Sequence, residues 1–557
     1  MTIHALRRAL FIGIVAGIAG WHLSLVGFVP AFAQRLLVGN TVTFSAVLLI
    51  ALFALAGHAA GRRHAGTVYR LPLSALSALV TGLLLFVLAL LVTHVQLRQV
   101  LLHATPELAR VLTFGGGADG DGLLRLVLLS LGAGLVAGVL GTVPSPWGRV
   151  TVSALLTTLL LGLMRDVIGP LLPRPLADVL YGTAGLSPTG AAIVFLVTFL
   201  LFALRWSLPR TAVSAQADRI VPPRVRAPLT RTVLLAALAS VPLWAGLFLS
   251  NVADFVGFYV LMGLGLNLVL GFAGLLDLGY VAFFAVGAYT MAILTSPEVG
   301  QRFTLDFWVA LPIAIVMTIV AGLLVGLPVL RMRGDYLAIA TLGFGEIVRL
   351  LVLSDWLKPY LGGAQGVTRI ARPSIGPWRI DSPQEFYILV LLSCLLAWFI
   401  SVRLRDSRLG RAWFAIREDE HVAQAMGINR VTAKLSAFAI GASFGGLSGA
   451  LFASLVGSVV PASFSLLVSI NVVALLVLGG MGSLPGVVIG ALALVGIPEL
   501  LREFQEYRLL VYGIVLIAMM IFRPAGLVPE RIHRRELEEA VEETRAVAPA
   551  EIATGRG

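Results

Sequence analysis

Apolar residues gather in runs of roughly 16 to 25 positions, and a helix needs about 20 to cross a bilayer. The runs fall near residues 9–29, 40–60, 71–95, 123–143, 150–172, 189–206, 232–250, 254–272, 278–295, 307–330, 336–354, 386–402, 433–456, 467–482, 485–500 and 507–522. This pattern predicts an all-α polytopic membrane protein of about 16 transmembrane helices, 6 N-terminal ones followed by a 10-helix core. The stretch Ser207–Arg231 separates the two sets. It sets Pro209, Pro222, Pro223 and Pro228 among the six arginines from Arg205 to Arg231, the composition of an exposed, semi-rigid linker. Domains are therefore expected at 1–206, 207–231 and 232–529, with a charged tail at 530–557 whose acidic run ELEEAVEE reads as a solvated helix that frays.

Composition narrows the class. Of 557 residues, 58% are hydrophobic and 13% charged, and the mean hydropathy is +0.95, whereas a soluble domain has about a quarter of its residues charged. The single cysteine, Cys394, cannot close an internal disulfide, and without a CxxC or HExxH pattern there is no recognisable zinc site. Only Lys358 and Lys434 are lysines, and they follow Leu357 and Ala433. A P-loop needs Gly-Lys and then Ser or Thr, so that backbone amides and the lysine hold the phosphates; the chain has none.

The net charge of +12 follows a membrane rather than a nucleic acid. With a cytoplasmic amino terminus, 27 of the 41 basic residues fall on inner loops and tails, while Arg125 and Arg349 lie inside helices. Translocating cations is costly, so both termini are expected in the cytoplasm. Arg7, Arg8 and the later Ala31-Phe32-Ala33 also resemble a signal peptide, but the apolar stretch exceeds the usual length of about 7–15, and a retained helix is expected.

The longest inner loop, 403–438, reads RLRDSRLGRAWFAIREDEHVAQAMGINRVTAKLSAF. Its part Trp413–Met426 predicts a short helix outside the bilayer, stopped by Gly427. Joined rigidly to spanning helices, it would transmit a push from a soluble partner. Glu418, Asp419 and Glu420 beside Arg408, Arg411 and Arg417 would supply ionic contacts, though an ordinary solvated loop accounts for the same charges equally well. Glu346 and Arg349 lie one turn apart within the run 336–354. Charges in hydrocarbon are expensive, so they are expected either as a buried ion pair that fixes packing or on an aqueous pathway.

Around Pro485, LGGMGSLPGVVIG sets Gly479, Gly480, Gly482, Ser483 and Gly486, with Asn471 nearby. The stretch reads as a tight helix hairpin, or as a broken helix whose freed backbone groups meet substrate. Asp277, between Gly274 and Gly279, is expected to cap the next helix, and Gly334, Asp335 and Tyr336 to form an inner turn. Segment 355–385, with Gly362, Gly363 and Gly366 and with Lys358, Arg369, Arg372 and Arg379, reads as a flexible basic outer face or a plain solvated loop.

Ala423 followed by Gly427 resembles the EAA-type coupling loop of ABC importer permeases, and SRLGRAWFAIREDEHVAQAMGIN around it resembles the LivM-type permeases of branched-chain amino acid ABC transporters. The likeness continues through GLNLVLGFAGLLDLGYVAFFAVGAY (265–289), LRMRGDYLAIATLGFGEIVRLL (330–351), LGGAQGV (361–367), VLGGMGSLPGVVIGA (477–491) and FRPAGL (522–527), so it covers 232–530. His421 departs from it, standing where an EAA-type motif has a small residue. The resemblance implies a transporter permease subunit that is no enzyme and binds no cofactor, coupled through Glu418, Asp419, Glu420, Ala423 and Gly427 to separate ATPase subunits that use the ATP. It implies a second, LivH-type permease, an extracytoplasmic substrate-binding protein and, surrounded by membrane lipid, a multi-pass place in a bacterial or archaeal cytoplasmic (inner) membrane. The implied cargo is branched-chain or other hydrophobic amino acids. A related importer for urea, short amides or another small polar solute would share these motifs. An ion-coupled secondary transporter would leave the coupling loop unexplained. Residues 1–206 hold no second glycine-rich hallmark or coupling loop and are expected to be an accessory membrane region, with a diverged LivH-type half as the alternative.

Overall fold

The computed structural model describes residues 3–207 and 235–529, apart from 40–41, 63–68, 142–144, 170–171, 183–184, 244–245 and 299–303 and most of 96–102, 330–334 and 501–525. Nearly all of the expected linker, the charged tail, most of the run 507–522 and Gly334 lie outside the described residues. The chain divides into two compact units, Met1–Thr230 and Arg231–Gly557.

In the first unit, α1 (Ile3–Leu25), α2 (Phe44–Gly61), α3 (Arg70–His94) and α4 (Gly120–Leu140) form a bundle centred on α3, while α5 (Ser145–Leu163) pairs with α6 (Pro188–Ser207). Side-chain caps start three of them. Thr43 Oγ1 accepts from the Ala46 amide at 3.2 Å, Asp119 Oδ1 from the Gly122 amide at 3.0 Å and, at α6, Ser187 Oγ from the Gly190 amide at 2.8 Å. The inward face of α3 is built of small polar residues, Ser74, Ser77 and Thr81, because its neighbours come very close. A Cβ on Gly134 of α4 would lie 2.8 Å from the Ser74 carbonyl. Such contacts hold helices together in lipid, where burying apolar surface against apolar surface gains little.

The second unit contains α7 (Gly246–Leu266), prolonged by a π-helical turn Asn267–Phe272, then α8 (Val281–Thr295), α9 (Phe307–Val329), α10 (Asp335–Leu353) and α11 (Pro383–Arg405). Two short helices follow, α12 (Arg408–Glu418) and α13 (Glu420–Ala425), and then α14 (Arg430–Val456), α15 (Leu466–Gly479) and α16 (Leu484–Ala491). α14 is the axis of the unit, packed on α7, α8 and α9. Its glycine-bearing face touches α8 backbone to backbone, so a Cβ on Gly449 would sit 2.0 Å from the Phe284 carbonyl oxygen.

Nine described helices are long and apolar enough to span a membrane, and five more are shorter apolar helices. The chain is a polytopic, helical membrane protein; the expected total of 16 is not reached among the described residues. Two expectations change. The break between runs 232–250 and 254–272 is absent. α7 starts at Gly246, where φ is +68°, and continues through Asn251 and Asp254, because Asp254 is fully buried inside the unit instead of marking a loop. Nor is segment 355–385 a loose loop: Val367–Thr368 pairs with Ser458–Val459, Ser374–Ile375 pairs with Trp378–Arg379, and the Thr368 amide donates to Glu298 Oε2 at 3.3 Å.

Candidate functional site

An elbow formed by α12 and α13 joins α11 to α14. Ser407 starts α12, its Oγ accepting from the Gly410 amide at 3.2 Å. Trp413 is fully buried and donates its ring N–H to the Ala433 carbonyl of α14 at 2.8 Å. Arg417 donates through Nη1 to the Gly271 carbonyl, at the π turn that ends α7, at 2.6 Å. The elbow is thereby tied to two spanning helices at once. The single helix expected over Trp413–Met426 is in fact two. At Asp419, φ −153° and ψ 115°, the backbone turns extended, and the carboxylate accepts from the amides of His421 at 2.7 Å and Val422 at 3.0 Å. An aspartate that caps two amides of a new helix outcompetes continuation of the old one.

The residues picked out from sequence divide between the inside and the outside of this elbow. Glu420 turns inward, 2.9 Å from Lys434 Nζ, with side chains only 16% and 5% exposed. Ala423 is buried and its carbonyl accepts from the Ile428 amide at 3.1 Å. Gly427 closes the turn at φ +86°, with open space where a Cβ would stand. Glu418 and Asp419 face outward. So do Val422 and Met426, 60% and 80% exposed, which sequence reasoning missed although their i, i+4 spacing puts them on one face.

On α10, Arg349 Nε donates to both oxygens of Glu346, at 3.0 and 3.1 Å. The ion pair is therefore formed but half-open rather than buried, with 45% of the Glu346 and 33% of the Arg349 side chain exposed. α10 packs on α8, α9 and α15 with its other side, which leaves a face of Ile339, Gly343, Glu346 and Leu350 uncovered.

The glycine run is a helix hairpin. α15 ends at Gly479, Gly480 and Gly482 take φ of +114° and +83°, and Ser483 Oγ accepts from the Gly486 amide at 3.2 Å to begin α16. A Cβ on Gly479 would lie 2.0 Å from the Gly486 carbonyl oxygen. Backbone groups freed by the reversal find partners inside the chain. The Gly482 amide donates to Asn267 Oδ1 at 2.9 Å, and the carbonyls of Leu478 and Gly479 accept from the Leu527 and Val528 amides, both at 2.9 Å. Asn471 sits half-buried on α15. An open groove of about 410 Å³ elsewhere in this unit, walled by Leu249, Val256, Ile489 and Leu492, is apolar and offers nothing to the charges of a zwitterion.

Asp277 does not cap α8. That role falls to Ser469, whose Oγ accepts from the Val281 amide at 2.9 Å, while Asp277 Oδ1 accepts from Gly279 two residues on at 2.9 Å. Burial pushes the Asp277 carboxyl from 3.8 up to about 6, against the opposing pull of the Gly279 amide. The fold thus disfavours the carboxylate. The stability associated with this group is complete below about pH 3.8 and is lost as pH rises through about 6. Asp277→Asn keeps the acceptor and removes the charge, so it should raise Tm at pH 7.5, by the equivalent of roughly 3 kcal/mol, and leave it unchanged at pH 4. A shift of equal size at both pH values, measured by thermal unfolding in detergent, would contradict this. Asp254 and Ser250, one turn apart on α7, are likewise fully buried, and among the described residues neither carboxylate oxygen nor the hydroxyl has a partner. Sequence reading passed over both because it placed them at a helix boundary.

The family described as "Branched-chain amino acid transport system / permease component" matches residues 248–521. The "High-affinity branched-chain amino acid transport system permease protein LivM" of Escherichia coli (strain K12) is 39% identical over 368 residues, which are 61% of this chain and 84% of that protein. The chain belongs to this family of branched-chain amino acid transport permeases. The LivM protein of Salmonella typhimurium is 43% identical over 302 residues, 50% of this chain and 69% of that one. A LivH permease of the same organism is 24% identical over 287 residues, 48% and 90%. No solved structure matches the chain. The permease family is one of transport proteins, not of enzymes, and its matched region contains the elbow, the half-open ion pair and the hairpin.

Proposed function

We propose that this chain is the membrane permease subunit of an ATP-binding cassette importer for branched-chain or other hydrophobic amino acids, moving by alternating access under the drive of separate ATPase subunits. The elbow carries this reading: two exposed apolar side chains, Val422 and Met426, rimmed by Glu418 and Asp419, on a short lever held to α14 by Trp413 and to the end of α7 by Arg417. An apolar centre with a polar rim suits a protein partner, and the two ties give a push at the elbow a path into the spanning helices. With no P-loop in the sequence, the nucleotide belongs to the partner.

On this reading the elbow faces the cytoplasm, in keeping with Arg403, Arg405 and Arg430 at the adjoining helix ends, and both termini lie on that side of a prokaryotic inner membrane. The uncovered face of α10 meets a second, LivH-type permease, and Glu346 and Arg349 stand on the translocation pathway, because lipid would cover charged groups only at high cost. The hairpin at Gly479, Gly480, Gly482, Ser483 and Gly486 is a packing joint beside that pathway, and Asn471 adds a polar group to it. An extracytoplasmic binding protein delivers the substrate. The test is uptake by the chain reconstituted with its ATPases and second permease, offered labelled leucine, isoleucine and valine against urea and acetamide. ATP-dependent uptake of the amino acids is the expected result. Preference for the amides would replace the substrate class, and uptake by this chain alone under an ion gradient would overturn the reading.

A further inference from the structure

Among the described residues of the first unit, one arginine is buried without a counter-charge. Arg70, the first residue of α3, is only 4% exposed, and its Nε has no hydrogen-bond partner. Among the described residues no hydrogen bond or ion pair reaches its guanidinium. Glycines make room for it: a Cβ on Gly141 would fall 1.5 Å from Nη2, and one on Gly61 would fall 3.0 Å from Cγ. One turn further along α3, the Ser74 hydroxyl is also buried and unpartnered.

None of the carboxylates among the described residues of this unit can reach the site. Residues 1–207 contain five, Glu107, Asp119, Asp121, Asp166 and Asp178, all in the connections from α3 to α4 and from α5 to α6 or at the start of α4. Gly141, at the far end of α4, lies against Arg70, so those connections sit at the opposite end of the bundle. The Arg70 end instead holds Arg7, Arg8, Arg62 and Arg149. The carbonyl end of α4 beside the guanidinium offers partial charge only. The amino end of α3 has no side-chain cap and presents amides and the positive pole of its dipole.

We propose that Arg70, with the amino end of α3, forms a binding site for a phosphate-type oxyanion, filled in the membrane by the headgroup of an anionic phospholipid. The planar guanidinium suits a phosphate through two parallel N–H donors. Its Nε is sealed but its terminal nitrogens are not, which leaves the slot open on one side. Tyr69 and Trp147, each 49% exposed at this end, are the residue types that settle at the headgroup level.

The test uses the full chain, purified in phosphatidylcholine-supplemented detergent and titrated with dioleoyl phosphatidylglycerol or inorganic phosphate. Tm and lipid retention by native mass spectrometry are the readouts. Phosphatidylglycerol should raise the Tm of the wild type, and of Arg149→Gln, saturably. Arg70→Met should melt above the wild type without phosphatidylglycerol, since a buried unpaired charge is gone, and should bind that lipid about tenfold or more weakly. Gly141→Ala, which keeps the charge but puts a methyl where Nη2 lies, should lose the response too. An equal phosphatidylglycerol response in Arg70→Met and wild type would overturn the site. Stabilisation by inorganic phosphate alone, to the same extent, would overturn its assignment to lipid.

Discussion

With Val422 and Met426 both changed to aspartate, the chain is expected to insert and fold normally yet to shed the ATPase subunits proposed for it, and ATP-driven uptake should fall at least about a hundredfold. Burying a side chain of this kind against a partner contributes about 1.5–3 kcal/mol, so the pair accounts for a factor of about 10² to 10⁴ in affinity before the desolvation of two new carboxylates is added. Within the free chain the cost is small, because both side chains point away from the core. Changes deeper in the elbow act differently. Ala423→Leu overpacks a buried site by about 1–3 kcal/mol. Gly427→Val finds open space for its side chain but must hold φ +86°, a strain of roughly 1–2 kcal/mol. Both deform the lever while sparing the contact, so coupling should weaken by about tenfold with the ATPases still attached. Co-purification of the ATPases, together with uptake in proteoliposomes, separates the two classes. Retained partners and normal uptake in the aspartate pair would move the coupling surface elsewhere.

Much of this fold can be read from the sequence because lipid imposes a simple rule: long apolar runs become helices, and cations mark the ends that stay out of the membrane. The rule fails where a polar residue is kept inside. Asp254 and Asn251 look like a loop between two runs, yet they lie within α7. In the elbow, a charge string without periodicity could not reveal that Asp419 caps a second helix or that Glu420 turns back to Lys434, fourteen residues away. Capping and ion pairing depend on where α14 stands, which no local window contains. The i, i+3 spacing of Glu346 and Arg349 did foretell their contact; how open the pair is depends on which side of α10 the other helices occupy. The first unit carries no chemical motif at all, and its buried arginine emerges only when the positions of Gly141 and of the distant carboxylates are known.

Arg349→Ala should reduce assembled, active transporter on the order of a hundredfold, because Glu346 would be left as a lone charge on a spanning helix. The double variant Glu346→Gln/Arg349→Gln then separates two roles for the pair. If the ions only fix packing against a second permease, two neutral amides of similar shape can still hydrogen-bond across the same turn, and both assembly and uptake should return together. If the pair stands on the pathway, assembly should return while uptake stays about tenfold or more below wild type, because the field met by a passing zwitterion has changed. On the proposed reading the second outcome is expected. The pair lies on an uncovered face of α10, between Gly343, which leaves space beside it, and Leu350, so its charges are open to a passing solute as well as to a partner. Co-elution of the second permease reports assembly and labelled leucine uptake reports passage; full recovery of both in the double variant would confine Glu346 and Arg349 to packing.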